Sequence, residues 1–354
     1  MERLTLLRKQ LQEANREAIL VSNPVNVAYL SGFTGTAGTL LLTAQQAYLL
    51  TDFRYVEQAQ QQAPAFEIID IKNKPWQVTA ELLADNGCRA LTVEADYLTV
   101  DTYQEIVAAL EAVSVEAAAS PVTPLRAVKT ADEIKAIEKA QQLTDAAFKQ
   151  ILAYVKPGVR ERDLALELEF MLRKGGAAAL SFTMIVASGS RSALPHGVAS
   201  DKTLAVGDAV VFDFGCIVDG YCSDMTRTVF VGEASDKQRE VYDIVLAAQE
   251  AALANLRAGI SGKEGDAFAR EVIAAAGYGD YFGHGLGHGV GREIHEAPRL
   301  SPTYEGLLEP GMVVTVEPGI YLPGEFGVRI EDMAVIEEQG IRNLTAASKE
   351  LYCF

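Results

Sequence analysis

The chain has 354 residues, 49% hydrophobic and 22% charged, an ordinary globular composition that excludes a disordered or collagen-like polymer. Its 48 acidic residues against 31 Lys and Arg leave a formal charge of −17, which argues against nucleic acid or anionic membrane as a main partner, since both need a basic face. Four scattered cysteines without a CxxC pair exclude a disulfide framework and a zinc ribbon. The opening residues carry no secretory pattern and no run approaches the ~18 apolar residues of a membrane span, so the expectation is a soluble cytoplasmic protein of two domains.

From the N-terminus, Leu4, Leu7, Leu11 and Ala14 recur at helical spacing over residues 2–16, and Ala18-Ile19-Leu20-Val21 reads as a buried strand. Residues 38–42 and 47–51 predict neighbouring strands around a polar turn. A helix over 53–62, a strand over 67–71, a helix over 76–86 and a strand over 90–93 follow, and 101–112 continues the alternation. This is the pattern of a small α/β domain over residues 1–124 with a mixed or parallel sheet. Pro121 and Pro124 mark residues 118–131 as a linker, and Thr130 ahead of Asp132-Glu133 starts the next helix.

The second domain, 125–354, opens with helices over 131–154 and 160–174, followed by strand-like segments. Helices over 236–257 and 263–276 and further strands then repeat that order. Residues 154–159 and 255–260, Tyr-Val-Lys-Pro-Gly-Val and Asn-Leu-Arg-Ala-Gly-Ile, occupy equivalent places. The pattern predicts two α+β halves about a pseudo-twofold axis, with a site in the cleft between them.

Asp219-Gly220 is a two-residue hairpin signal. Pairing Val218 with Tyr221 sets Asp213 opposite Thr226 and Asp224 opposite Gly215, so both acids share one face. Among Val, Phe and Met such acids are costly unless they meet positive charge. Three of the four histidines fall between Gly283 and His295, where five glycines in nine residues disfavour a helix at ~1 kcal/mol each. As a strand, the segment places His284, Leu286 and His288 on one face, with glycines that admit a close ligand or backbone. Glu317 ends an apolar strand before Pro318-Gly319, and residues 327–333 put Arg329 and Glu331 on one face. The inventory of Asp213, Asp224, His288, Glu317 and Glu331 on predicted strands suits Mn, Co or Zn more than copper or an iron–sulfur cluster. Two dications would balance the four carboxylates, which favours a dinuclear site.

Four ordered stretches, 213–228, 283–291, 316–321 and 327–332, resemble the pita-bread metallopeptidases, in the branch of aminopeptidase P and Xaa-Pro dipeptidase (prolidase). The first domain resembles the creatinase-like N-terminal domain of that branch. The resemblance implies an α/β N-terminal domain followed by an α+β pita-bread domain with an internal pseudo-twofold repeat. It implies two divalent metal ions (manganese first; cobalt, zinc and iron also suit the donors) and hydrolysis of the Xaa-Pro bond in dipeptides or at the N-terminus of peptides. It also implies a homodimer, in which the Phe33–Gly38 and Asp52–Tyr55 segments would gate a neighbour's site.

By the same resemblance, Asp213 would chelate one metal, Asp224 and Glu331 would bridge both, and His288 and Glu317 would complete the second. His284 would face the substrate carbonyl, His295 and His196 would hold the proline side, and Glu317 would carry the proton to the leaving nitrogen. Arg329 would orient the carboxylates from behind, with Phe182 and Tyr321 as apolar walls. Arg292 stands where the family has an apolar residue, and both cleft lining and substrate binding suit it. Among other readings, a serine hydrolase lacks its GxSxG elbow, and a dinucleotide-binding loop at 283–291 lacks its helix. Methionine aminopeptidase shares the donors but not the large N-terminal domain. A non-catalytic binding protein on the same fold is the alternative from another class, and a missing donor would favour it; none is missing. Dipeptidase and aminopeptidase P specificity stay open on the residues alone.

Overall fold

The computed structural model describes residues 2–354 and divides the chain into two units, Met1–Leu125 and Arg126–Phe354. The first is α1 (Glu2–Glu13), β1 (Ala18–Val21), α2 (Pro24–Ser31), β2 (Thr39–Thr43), β3 (Ala47–Thr51), α3 (Val56–Gln62), β4 (Glu67–Asp70), α4 (Pro75–Asp85), β5 (Ala90–Glu94), α5 (Val100–Ala109), β6 (Ser114–Ala118) and α6 (Val122–Leu125). The strands form one mixed sheet in the order β4-β3-β2-β1-β5-β6. The apolar run of β1 sits near its centre because both its faces are covered. Ile19 and Val21 pack with Leu4, Leu7 and Leu11 of α1, while Ala18 and Leu20 join the opposite core with Leu83 and Ile106.

Three features depart from the sequence reading. The α2 helix was not legible, being short and apolar on all sides; Asn23 caps it by accepting from Val25 N, and Pro24 starts it. Strand β6 and helix α6 extend into the stretch read as a linker. Phe33, expected at a loop tip, is buried in the core against the edge of Tyr55, whereas Phe53 is the exposed tip at 79%.

The second unit begins with α7 (Ala131–Ile151) and α8 (Glu161–Lys174), then β7 (Ala179–Leu180), β8 (Ile185–Ser188), β9 (Ala209–Phe214), β10 (Cys216–Val218), β11 (Tyr221–Cys222) and β12 (Met225–Phe230). Its second half runs α9 (Asp236–Asn255), α10 (Gly262–Ala275), β13 (Gly287–Gly289), β14 (Glu296–Leu300), β15 (Val313–Val316), β16 (Gly319–Leu322), β17 (Phe326–Arg329), β18 (Asp332–Glu337) and β19 (Gly340–Asn343). The order of two helices and then antiparallel strands recurs, and so do details of bonding. Gly158 and Gly259 both take positive φ (87° and 84°). Gly158 N donates to Leu204 O while Leu204 N donates to Val159 O; Gly259 N donates to Leu308 O while Leu308 N donates to Ile260 O. Among the described residues, no helix is long and apolar enough to cross a membrane.

The hairpin arithmetic holds across β9–β12: Val218 pairs with Tyr221 and Asp213 with Thr226, around a turn with φ of 51° at Asp219 and 79° at Gly220. The ladder breaks at Gly215, where a Cβ would run into Ser223 O, so Asp224 does not pair with it. Arg227 on β12 ties distant chain together. Its fully buried guanidinium donates to Asp332 Oδ1 (2.7 Å), Glu331 O, Ala347 O and Ser348 O. Arg227→Met should therefore leave Asp332 without one of its buried cations and cost roughly 3–5 kcal/mol. A urea titration checks this; an unchanged midpoint would contradict it.

Candidate metal centre

Asp213 stands on β9, between Thr226 of β12 and Ile185 of β8. His288 stands on β13, a strand of three residues that approaches its neighbours closely. A Cβ at Gly287 would run into Thr315 O and one at Gly289 into Ala297 O, which explains the glycine spacing. The other three acids are not on strands as expected. Asp224, Glu317 and Glu331 each occupy a break just beside one, where the chain leaves the ladder and turns its side chain to a common point. Leu286 likewise does not share a face with His288; it packs in the apolar core.

The supporting bonds explain the convergence. Buried Asp266 of α10 accepts from Leu286 N and pairs with Arg270, whose guanidinium donates to His284 O and Phe282 O. These bonds set the backbone that enters β13. Thr315 Oγ1 accepts from His288 N and donates to Glu317 Oε1 (both 3.0 Å), coupling two candidate ligands through one hydroxyl. Thr226 Oγ1 donates to Glu331 (2.7 Å) and accepts from Arg329 Nε (3.0 Å). Arg329 in turn donates to Asp213 Oδ2 at 2.5 Å. Its carboxylate partner is thus Asp213, and the guanidinium is buried.

The donor set fits a divalent cation. One ligand atom each from Asp224, His288 and Glu331 lie within 4.8 Å of one another. His288 Nε2 is 3.3 Å from Glu317 Oε1 and 3.7 Å from Asp224 Oδ2. Asp213 Oδ1 and Asp224 Oδ1 are buried without a hydrogen-bond partner, an expensive state for carboxylate oxygens that a cation would relieve. Burial, reinforced by the neighbouring acids, pushes Asp224 and Glu331 well above the usual carboxylate range. Burial also raises Asp213 despite Arg329. For Glu317, burial acts upward but is outweighed by His288, His284 and Arg329, which draw it down to about 2. Four acids around one guanidinium are short of positive charge.

All these residues line one cavity of about 970 Å³ together with His196, His284, His295, Phe182 and Tyr321. His295 stacks edge-on to His288 (ring centroids 4.3 Å apart), and burial beside that ring lowers it to about 4. His196 lies on an exposed loop. Tyr321 is more than an apolar wall: its hydroxyl is 2.8 Å from both Arg329 Nη1 and His284 Nε2. Gly285 O only accepts, so the neutral His284 ring carries its proton on Nδ1 (2.8 Å) and leaves Nε2 to accept from the Tyr321 hydroxyl, which in turn accepts from Arg329 Nη1. Both nitrogens of His284 thus have partners within the protein, and its ring lines the cavity. Arg292 is not in the lining; it lies over the Tyr221 ring at 5.2 Å, beside the Asp219-Gly220 turn. The sequence reading missed Arg299, which pairs across the ladder with His288, lines the cavity and forms no ion pair among the described residues. Its signal was the alternation along β14, where Ala297 and Arg299 are the less buried positions between buried Glu296, Pro298 and Leu300.

Comparison with known proteins bears on this geometry. Residues 135–338 match metallopeptidase family M24, and residues 3–128 match the creatinase/prolidase N-terminal domain. The chain is 40% identical over 351 residues to the Xaa-Pro dipeptidase of Pyrococcus furiosus, covering 99% of each. The structure of an Xaa-Pro dipeptidase from Bacillus anthracis is similar with a TM-score of 0.98 at 47% identity, covering 100% of this chain and 99% of that one. An X-Pro aminopeptidase from Thermotoga maritima is similar with a TM-score of 0.91 at 38% identity, covering 99% of both. With its fold and acidic centre, the chain belongs to metallopeptidase family M24, in pita-bread form behind a creatinase-type N-terminal domain.

Proposed function

We propose that the protein hydrolyses the Xaa-Pro bond of dipeptides with two divalent metal ions, manganese foremost, held by Asp213, Asp224, His288, Glu317 and Glu331. The observation that carries the dipeptide reading is the cavity that joins the acidic centre to Arg299, His196 and His295. A dipeptidase must receive a free carboxylate just past the proline, and a guanidinium without an ion pair among the described residues, in the same lining as two imidazoles, is suited to it. Names among the relatives divide between dipeptidase and aminopeptidase and so do not choose. The four acids and Arg329 sum to −3, so one dication would leave −1 and two would leave +1, a balance that welcomes an anion.

Bound there, the divalent ions supply Lewis acidity and make hydroxide available near neutral pH. Around them the chain's own groups divide the work. The ionised Glu317 carboxylate, fixed by Thr315 and His288, would take the proton given up by the attacking water and pass it to the proline nitrogen, which as a tertiary amide carries none of its own, as the C–N bond breaks. Arg329 keeps Asp213 oriented and presents the Tyr321 hydroxyl, while His284 holds that hydroxyl's proton direction and with it the polar end of the cavity. Phe182 closes on the proline ring. The same reading places the enzyme in the cytoplasm as a homodimer, and sedimentation at about twice the chain mass checks the latter.

Chelation should abolish cleavage of an Xaa-Pro dipeptide and added manganese should restore it. The dipeptide should be cleaved faster than the matching Xaa-Pro-Yaa tripeptide, and Arg299→Ala should erase that preference by raising the dipeptide KM tenfold or more, ~1.4 kcal/mol. Preference for the tripeptide would overturn the dipeptidase reading and leave an aminopeptidase. Metal analysis separates the ligands from their neighbours: Asp224→Ala should lose bound metal, whereas His284→Ala should keep it and turn over ~10²-fold more slowly. An empty His284→Ala protein beside a fully loaded Asp224→Ala protein would refute the assignment.

A further inference from the structure

Glu161, the first residue of α8, is a fully buried carboxylate outside the metal centre, and every strong bond it makes goes to one segment. Its Oε1 accepts from Ser188 N (2.7 Å) and Ser188 Oγ (2.8 Å). Its Oε2 accepts from Ser200 N (3.0 Å), Ser200 Oγ (2.6 Å) and Arg191 Nε (3.1 Å). Ser188 ends β8, and Ser200 lies at the far end of the arm that follows. One carboxylate thus clasps both ends of residues 189–199 and, through Arg191 Nη2 to Val198 O at 2.6 Å, its interior as well.

That arm supplies Pro195, His196 and Val198 to the cavity. Its apolar side chains hold it weakly, since Leu194 and Val198 are about half exposed (51% and 48%), although Val198 forms an isolated bridge to Ile185 of β8. On the cavity side it is tied by Arg329 Nη1 to Pro195 O (3.2 Å) and by Gly327 N to Ser192 Oγ (2.9 Å). The helix start itself does not call for the acid. In the second half the equivalent helix α10 begins at Gly262 behind a Ser261 cap, and no carboxylate stands at that first position.

We propose that Glu161 is a positioning residue that holds the His196 arm against the cavity and thereby sets substrate affinity, leaving the chemical step to the metal centre. This rests on the reading of His196 as a substrate-binding residue. Glu161→Gln keeps the shape but turns an amide NH2 towards hydrogen-bond donors, and Ser200→Ala removes only the 2.6 Å hydroxyl bond, in case the first variant does not fold. In the metal-loaded full-length protein, both should speed amide hydrogen exchange in residues 189–199 and not in β9 or β13. Both should also raise KM for an Xaa-Pro dipeptide, tenfold or more in Glu161→Gln, with kcat within twofold and bound metal unchanged. Glu161→Asp should recover part of the KM. Unaltered exchange in the arm, or an equal fall in kcat with KM unmoved, overturns the proposal. His196→Ala separates the premise: if it leaves KM unmoved, His196 does not bind substrate and the affinity role of Glu161 falls with it, whatever the exchange shows.

Discussion

The second unit is organised around uncompensated negative charge. Asp213, Asp224 and Glu331 are buried and Glu317 half-buried in one pocket, and among the described residues the one guanidinium bonded to any of their carboxylates is that of Arg329. Such a cluster is unfavourable by itself, because each carboxylate loses hydration and repels the next. It persists because the surrounding fold over-determines its geometry. Arg329 is fixed on its backbone side by Thr228, whose hydroxyl bonds both its N–H and its C=O, and on its side chain by Asp213, Thr226, Tyr321 and Pro195 O. A divalent cation at this point would relieve that cost.

The internal repeat makes the convergence possible. The first half contributes Asp213 and Asp224, and the second contributes His288, Glu317 and Glu331, so neither half holds a complete donor set. Regular strands would have spread these side chains along ladders. The breaks at Gly215, at Pro318 and between Arg329 and Asp332 release three of the acids from strand alternation and let them point to a common centre. Hydroxyls then fix what the ladder no longer does: Thr226 and Thr315 each join two of the groups that converge.

The cavity is lined by both signs of charge: the four acids, and Arg299 with His196 and His295. Partial desolvation and the neighbouring His288 lower His295 to about 4, so among these three side chains the formal positive charge is the guanidinium of Arg299. The Arg329–Tyr321–His284 chain runs from Asp213 with a single direction of hydrogen bonding, because the guanidinium can only donate at one end and Gly285 O can only accept at the other.

The sequence by itself determined the elements with strong periodicity or strong turn chemistry. The helices of the second unit, the β9–β12 register and the Asp219-Gly220 turn all follow from local rules, since side-chain alternation and left-handed turn residues act over a few positions. The donor types were legible for the same reason: acids and imidazoles in apolar surroundings signal a charge that must be met. What lay beyond the sequence was every relation across distance. That Arg329 meets Asp213, that both His284 nitrogens have partners within the protein, that Phe33 is core and Phe53 is not, and that Arg299 faces the cavity beside His288 are outcomes of packing between segments far apart in the chain. Local periodicity places a residue on a face. Only the tertiary structure decides what that face meets, because the partner comes from another element whose approach is fixed by the whole core.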